Sequence, residues 1–359
     1  MKVDPDELKQ FQFRLFSTLS GAVTAAMVHL GDRLGLYGAL AAAPGPLSST
    51  ELAAATECHE RWVREWAYNQ ASAKLIAADT AGEPVRFSLT PAAVAVLASP
   101  DHDAFGIGMF HRLPQTMDAL ETAPDSFRTG LGHDYDAHGC DGAVGMERSF
   151  QPWNQAHLVP EVMPLLEGVA AALQAGTRAA DIGCGAGGAV LLLAEAYPNS
   201  TFVGYDISRH ALDRARERLA DMSLGNAHFT DPRDEPLPDD GSLGLVTTFD
   251  CLHDMTDPAG MMTMIRQSLR DDGTWLLVDI KAFDTFAANA ERNPMAPLMY
   301  GISVLSCLSS ALSEPGGAGL GTLGLSESVA RDMADTAGFT RFRRLPVDHA
   351  VNAFFEIRP

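Results

Sequence analysis

The stretch RAADIGCGAGGAVLLLAEAYPNSTFVGYDIS, residues 178–208, constrains the fold more than any other part of the chain. An apolar run of strand length ends in a glycine-rich turn. A helical pattern follows, and a second strand-like run closes on an acid. A strand, crossover helix and strand in this order imply parallel pairing, because parallel neighbours need a long connection. Gly183, Gly185 and Gly188 have the spacing G-x-G-x-x-G, which alone is a weak dinucleotide signal. Asp181, two residues before the first glycine, is the discordant residue.

The same alternation continues to the end of the chain. Helices are expected at 161–174, 188–197, 209–222, 258–270 and 326–337. Strands are expected at 178–182, 201–205, 227–230, 243–249, 274–280 and near 339–345 and 350–357. This pattern predicts an α/β domain whose mostly parallel sheet is covered on both faces. Segment 283–325 is too long for an ordinary connection, so it reads as an insertion that covers a binding site.

The first part of the chain is different. Residues 6–43 read as alanine-rich helices, broken by Pro-Gly-Pro at 44–46. Ser48 and Glu51 form a capping box for a short helix, and an amphipathic helix follows. A short strand at 85–89 precedes a helix capped by Thr90 with Pro91 at its first position. Helix, helix and β-wing is winged-helix order. Over 48–91 four basic residues meet six acidic ones, so the module lacks the basic face of a DNA reader. Dimerisation is the reading preferred, with the apolar run FSTLSGAVTAAMVHLGDRLGLYGAL as the contact. The expected organisation is 1–125 for this domain, 126–160 for an irregular linker or lid, and 161–359 for the α/β domain.

Charge narrows the partners. With 46 acidic and 26 basic residues the net charge is −20, which disfavours a phosphate-binding surface and hence nucleic acid. Five scattered cysteines without any CxxC fit reduced thiols in the cytoplasm, and the start of the chain shows no secretory h-region. The uncharged run between Arg292 and Glu314 holds two prolines and five serines. It reads as a buried helix or lid rather than a membrane span. His133, Asp134, Asp136, His138 and Cys140 are metal-ligating types. Their spacing matches no familiar ligand pattern, so a polar loop near the site, without a metal, is the expectation.

Asp181 decides what the glycine loop holds. At the strand tip its carboxylate would repel a pyrophosphate, whereas S-adenosylmethionine brings a sulfonium and an ammonium. Asp206 closes the next strand, 23 residues beyond Gly183, where a carboxylate accepts both ribose hydroxyls. An NAD-dependent oxidoreductase is therefore disfavoured.

ADIGCGAGG, VGYDIS, HFTDPRDEPLP, VTTFDCLHDMTDP and LRDDGTWLLVDI together resemble the motif series of class I S-adenosylmethionine-dependent methyltransferases. The N-terminal part resembles the winged-helix dimerisation module of small-molecule O-methyltransferases, and the likeness to an actinobacterial-type branch covers nearly the whole chain. The resemblance implies a Rossmann-like sheet behind a mostly helical winged-helix domain. It assigns Asp181, Gly183, Cys184 and Gly185 to the methionine end of the cofactor, and Asp206 and Ile207 to the ribose side. Asp231 falls near the adenine amino group, and Phe249 and Asp250 beside the sulfonium. CLHDMTD resembles the HDWSD region of plant-type O-methyltransferases, which makes His253 the general base, with Asp254 or Asp257 orienting it; Met255 departs from that family's tryptophan.

His111, Tyr135, Phe150, Trp153, Met295 and Tyr300 are the expected lining of the acceptor pocket. The expected activity is methyl transfer to a small-molecule nucleophile by a homodimer. Hydroxyl and thiol are favoured, with amine and activated carbon open. The competing reading is a ligand-sensing winged-helix regulator.

Overall fold

The computed structural model describes residues 3–359, which divide into two compact units, residues 3–114 and 115–359. The division falls before residue 125, so the segment 115–125 belongs with the α/β part.

In the first unit, helix Pro5–Arg33 is capped by Asp4, whose carboxylate accepts from the Asp6 amide at 2.8 Å. Strand β1 (Leu47–Ser48), the hairpin β2 (Ala77–Asp79) and β3 (Arg86–Ser88) make a small antiparallel sheet in the order β1-β3-β2. Between them lie helices Ser49–Ala55, opened by the Ser48–Glu51 capping box, and Glu60–Ser72. Helix Pro91–Ala98 follows with Thr90 as its cap. Leu36, Tyr37, Leu52, Trp66 and Phe87 form the core of this unit. The Tyr37 hydroxyl donates to Gln70 Oε1 at 2.5 Å, which satisfies two buried polar groups at once.

The long first helix is buried only near its end, at Val28 and Gly31. Leu8, Phe11, Phe13, Leu15, Phe16 and Leu19 are all exposed, Phe13 to 76%. By length and composition alone this helix could cross a membrane.

The second unit holds strands β4 (Arg178–Ile182), β5 (Thr201–Tyr205), β6 (Ala227–Thr230), β7 (Leu243–Phe249), β8 (Leu269–Ile280), β9 (Arg341–Arg344) and β10 (Asn352–Arg358). They form one sheet in the order β6-β5-β4-β7-β8-β10-β9. The first five strands are parallel, and β10 runs antiparallel to β8 and β9. Alternate residues of a strand serve opposite faces. Leu276, Val278 and Phe354 enter one core, whereas Trp275, Leu277 and Phe355 enter the other. Strand order reverses between β4 and β7, which opens a crevice at their carboxyl ends.

Two expectations are corrected. Residues 139–157 are a 19-residue helix rather than irregular chain. The helix expected at 161–174 is replaced by a π-helical turn Leu158–Val162 and a 3-10 turn Met163–Leu165, and only Val169–Ala175 is α-helical. Pro160 and Pro164 remove amide donors there. Insertion 283–325 folds into helices Phe286–Arg292, Ala296–Leu305 and Cys307–Ala311. Its tail docks on the turn after β7, with the Ala318 amide donating to Thr256 O at 2.8 Å and the Gly321 amide to His253 O at 3.1 Å.

Gly187 opens helix Gly188–Ala196 with φ +75°, and a Cβ there would overlap the Phe229 ring. Gly187→Ala should therefore cost roughly 2 kcal/mol or more, from left-handed strain plus overpacking. Urea unfolding with an unchanged midpoint would refute this close packing.

Candidate active site

Three contacts shape the loop after β4. The amides of Gly183 and Cys184 both donate to Tyr205 O, at 2.8 and 3.0 Å, tying the loop to the end of β5. The Gly185 amide donates to Asp206 Oδ2 at 2.8 Å, and the Ser208 amide to Asp206 Oδ1 at 2.8 Å. Gly183 and Gly185 both have positive φ, and a side chain at 183 would meet the Cys251 Cβ at 2.6 Å. Only glycine allows the turn to lie this close to the end of β7.

The loop borders a cavity of about 680 Å³ at the carboxyl ends of β4 and β7. Asp181, Gly183, Cys184, Gly185 and Asp206 line it. So do Ile207, Phe249, Asp250 and Asp254. Asp231 does not. Its carboxylate is gripped by Arg233 of its own loop, with Nε at 2.9 and 3.0 Å, and Pro232 and Arg233 face the cavity instead. The guanidinium holds the Asp231 carboxyl below the usual range.

The other acids are pushed the opposite way. Burial raises Asp181 to about 7, against the hydrogen bond it accepts from Thr247 Oγ1 at 2.6 Å. Burial raises Asp206 to about 6 despite its two amide donors. Asp250, with φ +50°, is raised to about 7 by burial and then by Asp279. Asn352 donates to Asp250 Oδ1, while the buried Oδ2 has no protein partner. Three buried carboxyl groups thus face one cavity.

His253 sits on the turn Leu252–Asp254, just past β7, and is 2% exposed. It is not part of the cavity wall. Its Nδ1 lies 2.6 Å from Asp279 Oδ1. Burial works against the charged ring, but Asp279 and Cys307 outweigh it and hold His253 well above its ordinary range. The orienting acid is therefore Asp279, near the end of β8. Asp257 instead caps helix Pro258–Ser268 through the Gly260 amide at 2.8 Å.

Of the six residues expected around an acceptor, Tyr135 and Phe150 line the cavity. Trp153 is packed against His157, His349 and Phe354 in the core. Met295 and Tyr300 lie on the exposed side of the insertion, Tyr300 beside Phe286. His111 belongs to the first unit, 3.9 Å from Asp32. Apolar and aromatic character alone could not separate core, surface and cavity positions.

Beside the expected Phe150, helix Gly139–His157 contributes Met146, Glu147, Gln151 and Asn154, which the sequence reading missed, to the cavity. Glu147 pairs with Arg214 at 2.7 Å. Arg218 links Gln151 Oε1 at 2.9 Å to Ala186 O at 2.7 Å. The helix is thereby fastened to the glycine loop. The polar residues of 133–140 have separate partners for their two histidines, while Asp136 and Cys140 both approach His210. His133 meets Thr122 at 2.7 Å, His138 meets Ser306 at 3.0 Å, and Cys140 meets His210 at 3.2 Å.

The sheet order and a glycine-loop cavity at its switch point define a class I methyltransferase fold, here in a chain that begins with a winged-helix module. Residues 173–311 match the family model of a methyltransferase domain, and residues 22–99 match the Rv2258c-like winged HTH domain. The chain thus carries a methyltransferase domain behind a winged-helix domain.

Human N-acetylserotonin methyltransferase, solved with S-adenosylmethionine, superposes with a TM-score of 0.68 at 17% identity, covering 100% of this chain and 99% of that one. Mitomycin 7-O-methyltransferase gives 0.68 at 19% identity, covering 99% of each. An O-methyltransferase family protein from Burkholderia thailandensis gives 0.67 at 14%, covering 100% and 98%. At these identities the likeness is one of fold. A polyketide synthase of Burkholderia thailandensis, ThaQ, is 34% identical over 109 residues, which span 30% of this chain and 5% of that protein's length.

Asp206→Ala should weaken S-adenosylhomocysteine binding roughly 10–100-fold, since charge-assisted hydrogen bonds contribute about 1.5–3 kcal/mol each. Calorimetry tests this. An unchanged affinity would remove Asp206 from the cofactor site.

Proposed function

We propose that this chain transfers the methyl group of S-adenosylmethionine to a hydroxyl group of a small molecule and releases S-adenosylhomocysteine. The observation that carries the reading is the buried His253–Asp279 pair beside the strand-end cavity. An acceptor oxygen lone pair forms the new O–CH₃ bond. The methyl–sulfur bond breaks with its electrons passing to sulfur, and the acceptor's proton is lost at His253. Alignment supplies most of the rate in such a displacement, and proton removal adds to it.

Asp181 and Asp250 suit the cationic methionine end of the cofactor, Asp206 the ribose, and Ile207 and Leu237 an apolar wall for the adenine. The insertion places Ser310, Ser313 and Glu314 on the cavity wall and acts as the acceptor lid, with Tyr135 and Phe150 of the preceding segment opposite the cofactor. The five unpaired thiols suit a reducing compartment, so we place the enzyme in the cytoplasm.

The exposed apolar face of helix Pro5–Arg33 is read as the contact of a homodimer. A membrane span is disfavoured because the last turns of the helix pack into the winged-helix core at Val28 and Gly31. A DNA-binding regulator is disfavoured by the acidic balance of residues 48–91. A gel-shift assay at low salt that shows tight DNA binding would reverse that choice.

His253→Ala should lower kcat by roughly 10²–10⁴-fold on a hydroxyl acceptor, the usual contribution of acid–base catalysis, with little change in cofactor affinity. The raised pKa of His253 sets the sign of the pH dependence. The ring keeps its proton past the ordinary range near 6.5, so kcat should climb with pH through a value above that and then level. A panel of phenols, hydroxy acids and thiols, read by mass spectrometry, supplies the acceptor. A mutant with full kcat at every pH would remove His253 from the mechanism.

Light scattering should report a dimer for the full chain and a monomer after removal of residues 1–27, which carry the exposed apolar face. A monomeric full chain would sink the dimer.

A further inference from the structure

The insertion carries a buried polar group that the fold leaves unanswered. Ser310, on helix Cys307–Ala311, is 5% exposed and lines the cavity. Its Oγ has no hydrogen-bond partner among the described residues. A buried hydroxyl without a partner costs stability, and native chains seldom keep one without a use.

The hydroxyl is also held in place. The segment before helix Gly139–His157 clips onto the same stretch of the insertion three times. The Gly132 amide donates to Leu312 O at 2.9 Å, the His133 amide donates to Ser309 Oγ at 2.8 Å, and Ser306 Oγ meets His138 Nε2 at 3.0 Å. The Ser310 amide itself donates to Ser306 O at 2.9 Å. The backbone on both sides of Ser310 is fixed, so its Oγ is a preformed partner for a ligand.

Charge along this part of the wall has one sign. The clipped segment brings Asp134 to the cavity, the turn Leu252–Asp254 brings Asp254, and the chain just past the helix brings Glu314. The basic residues of the wall are Arg218 and Arg233, and both are engaged elsewhere. Arg218 is bound to Ala186 O at 2.7 Å beside the glycine loop, and Arg233 is bound to Asp231 and to Ile207 O at 2.8 Å. An anionic acceptor would therefore meet like charge, whereas a cationic one would be attracted.

We propose that the acceptor carries, besides the hydroxyl that is methylated, a basic nitrogen that is protonated at neutral pH, and that the site rejects carboxylated acceptors. The ammonium donates to Ser310 Oγ, and Glu314 balances its charge, which makes these two the specificity-determining residues of the insertion. The proposal rests on the reading of the cavity as a methyl-transfer site for small hydroxylated molecules.

The test uses the purified full chain loaded with S-adenosylhomocysteine. The probes are phenols and naphthols that bear an aminomethyl, a hydroxymethyl or a carboxyl group, which vary charge at nearly constant size. Ligand-observed NMR titration reads their affinities. The aminomethyl members should bind about 3-fold or more tightly than the hydroxymethyl members. They should bind at least about 10-fold more tightly than the carboxyl members, with the gap narrowing at raised salt. Ser310→Ala should weaken the aminomethyl members about 3–10-fold. Glu314→Gln should narrow the gap, and Glu314→Lys should invert it. All three variants should keep S-adenosylhomocysteine affinity, which shows that they are folded.

Carboxyl members that bind as well as the aminomethyl members would overturn the proposal. So would an order that survives Glu314→Lys, unchanged aminomethyl affinity in Ser310→Ala, or no binding of any aminomethyl member. Mass spectrometry of the same probes with S-adenosylmethionine separates the two readings. Binding in the expected order without methylation of any hydroxyl would count against the proposed function and leave the charge selection standing. Methylation of the carboxyl members alone would uphold the function and overturn the selection.

Discussion

The Asp206 carboxylate is the joint on which the site depends. One oxygen holds the Gly185 amide and the other the Ser208 amide, so a single side chain connects the loop after β4 to the helix start after β5. Both amides belong to segments that cannot pair them within regular structure. A buried carboxylate with two amide donors satisfies them and presents what remains of its acceptor capacity to the cavity. The glycines on either side follow from this joint. Gly183 must pass against Cys251, and Gly187 must turn over Phe229.

The same joint costs stability in the empty protein. The folded-state pKa values of Asp181, Asp206 and Asp250 are raised to about 7, 6 and 7, above an unfolded value near 3.9. A raised carboxyl pKa means that the folded chain binds more protons than the unfolded chain between these limits. Stability of the empty protein therefore falls as pH rises through that window. On the proposed function, a sulfonium and an ammonium bound beside Asp181 and Asp250 would reverse the balance. They would lower those two pKa values, expel protons and recover Coulombic energy where water is scarce. On that reading the buried acids at the strand ends favour a cationic cofactor over a pyrophosphate, beyond what loop shape alone decides.

The sheet and its glycine loop were legible because their residues act locally. A period-2 apolar run, a glycine turn and a terminal acid are each decided within a few positions of sequence. Asp181, Asp206 and Asp250 could be ranked in this way, and all three line the cavity. Asp231 could not, because its neighbour Arg233 turns it away from the cavity. Helix Gly139–His157 was hidden by three early glycines and Pro152, whose weak helix propensity is overridden by tertiary contacts such as Glu147 to Arg214. Asp279 was hidden for a different reason. It is one acid at the end of a buried apolar strand, and its partner lies 26 residues away.

Trp153 and Phe150 show where sequence reasoning about an acceptor pocket must stop. They stand one helical turn apart on the same helix, yet Phe150 lines the cavity and Trp153 is packed beneath Phe354. The difference comes from β10, which is antiparallel to its neighbours and brings Phe354 under the helix. No local pattern encodes that placement. The parallel strands fix the donor side through backbone geometry that any sequence with glycines at the turn can adopt. The acceptor side is built from the helix before the sheet and the insertion after β8, two segments whose side chains meet only in the folded chain. On the proposed function, selectivity for an acceptor would reside in cavity-lining residues such as Tyr135, Phe150 and Ser310, which can change without disturbing the Asp206 joint.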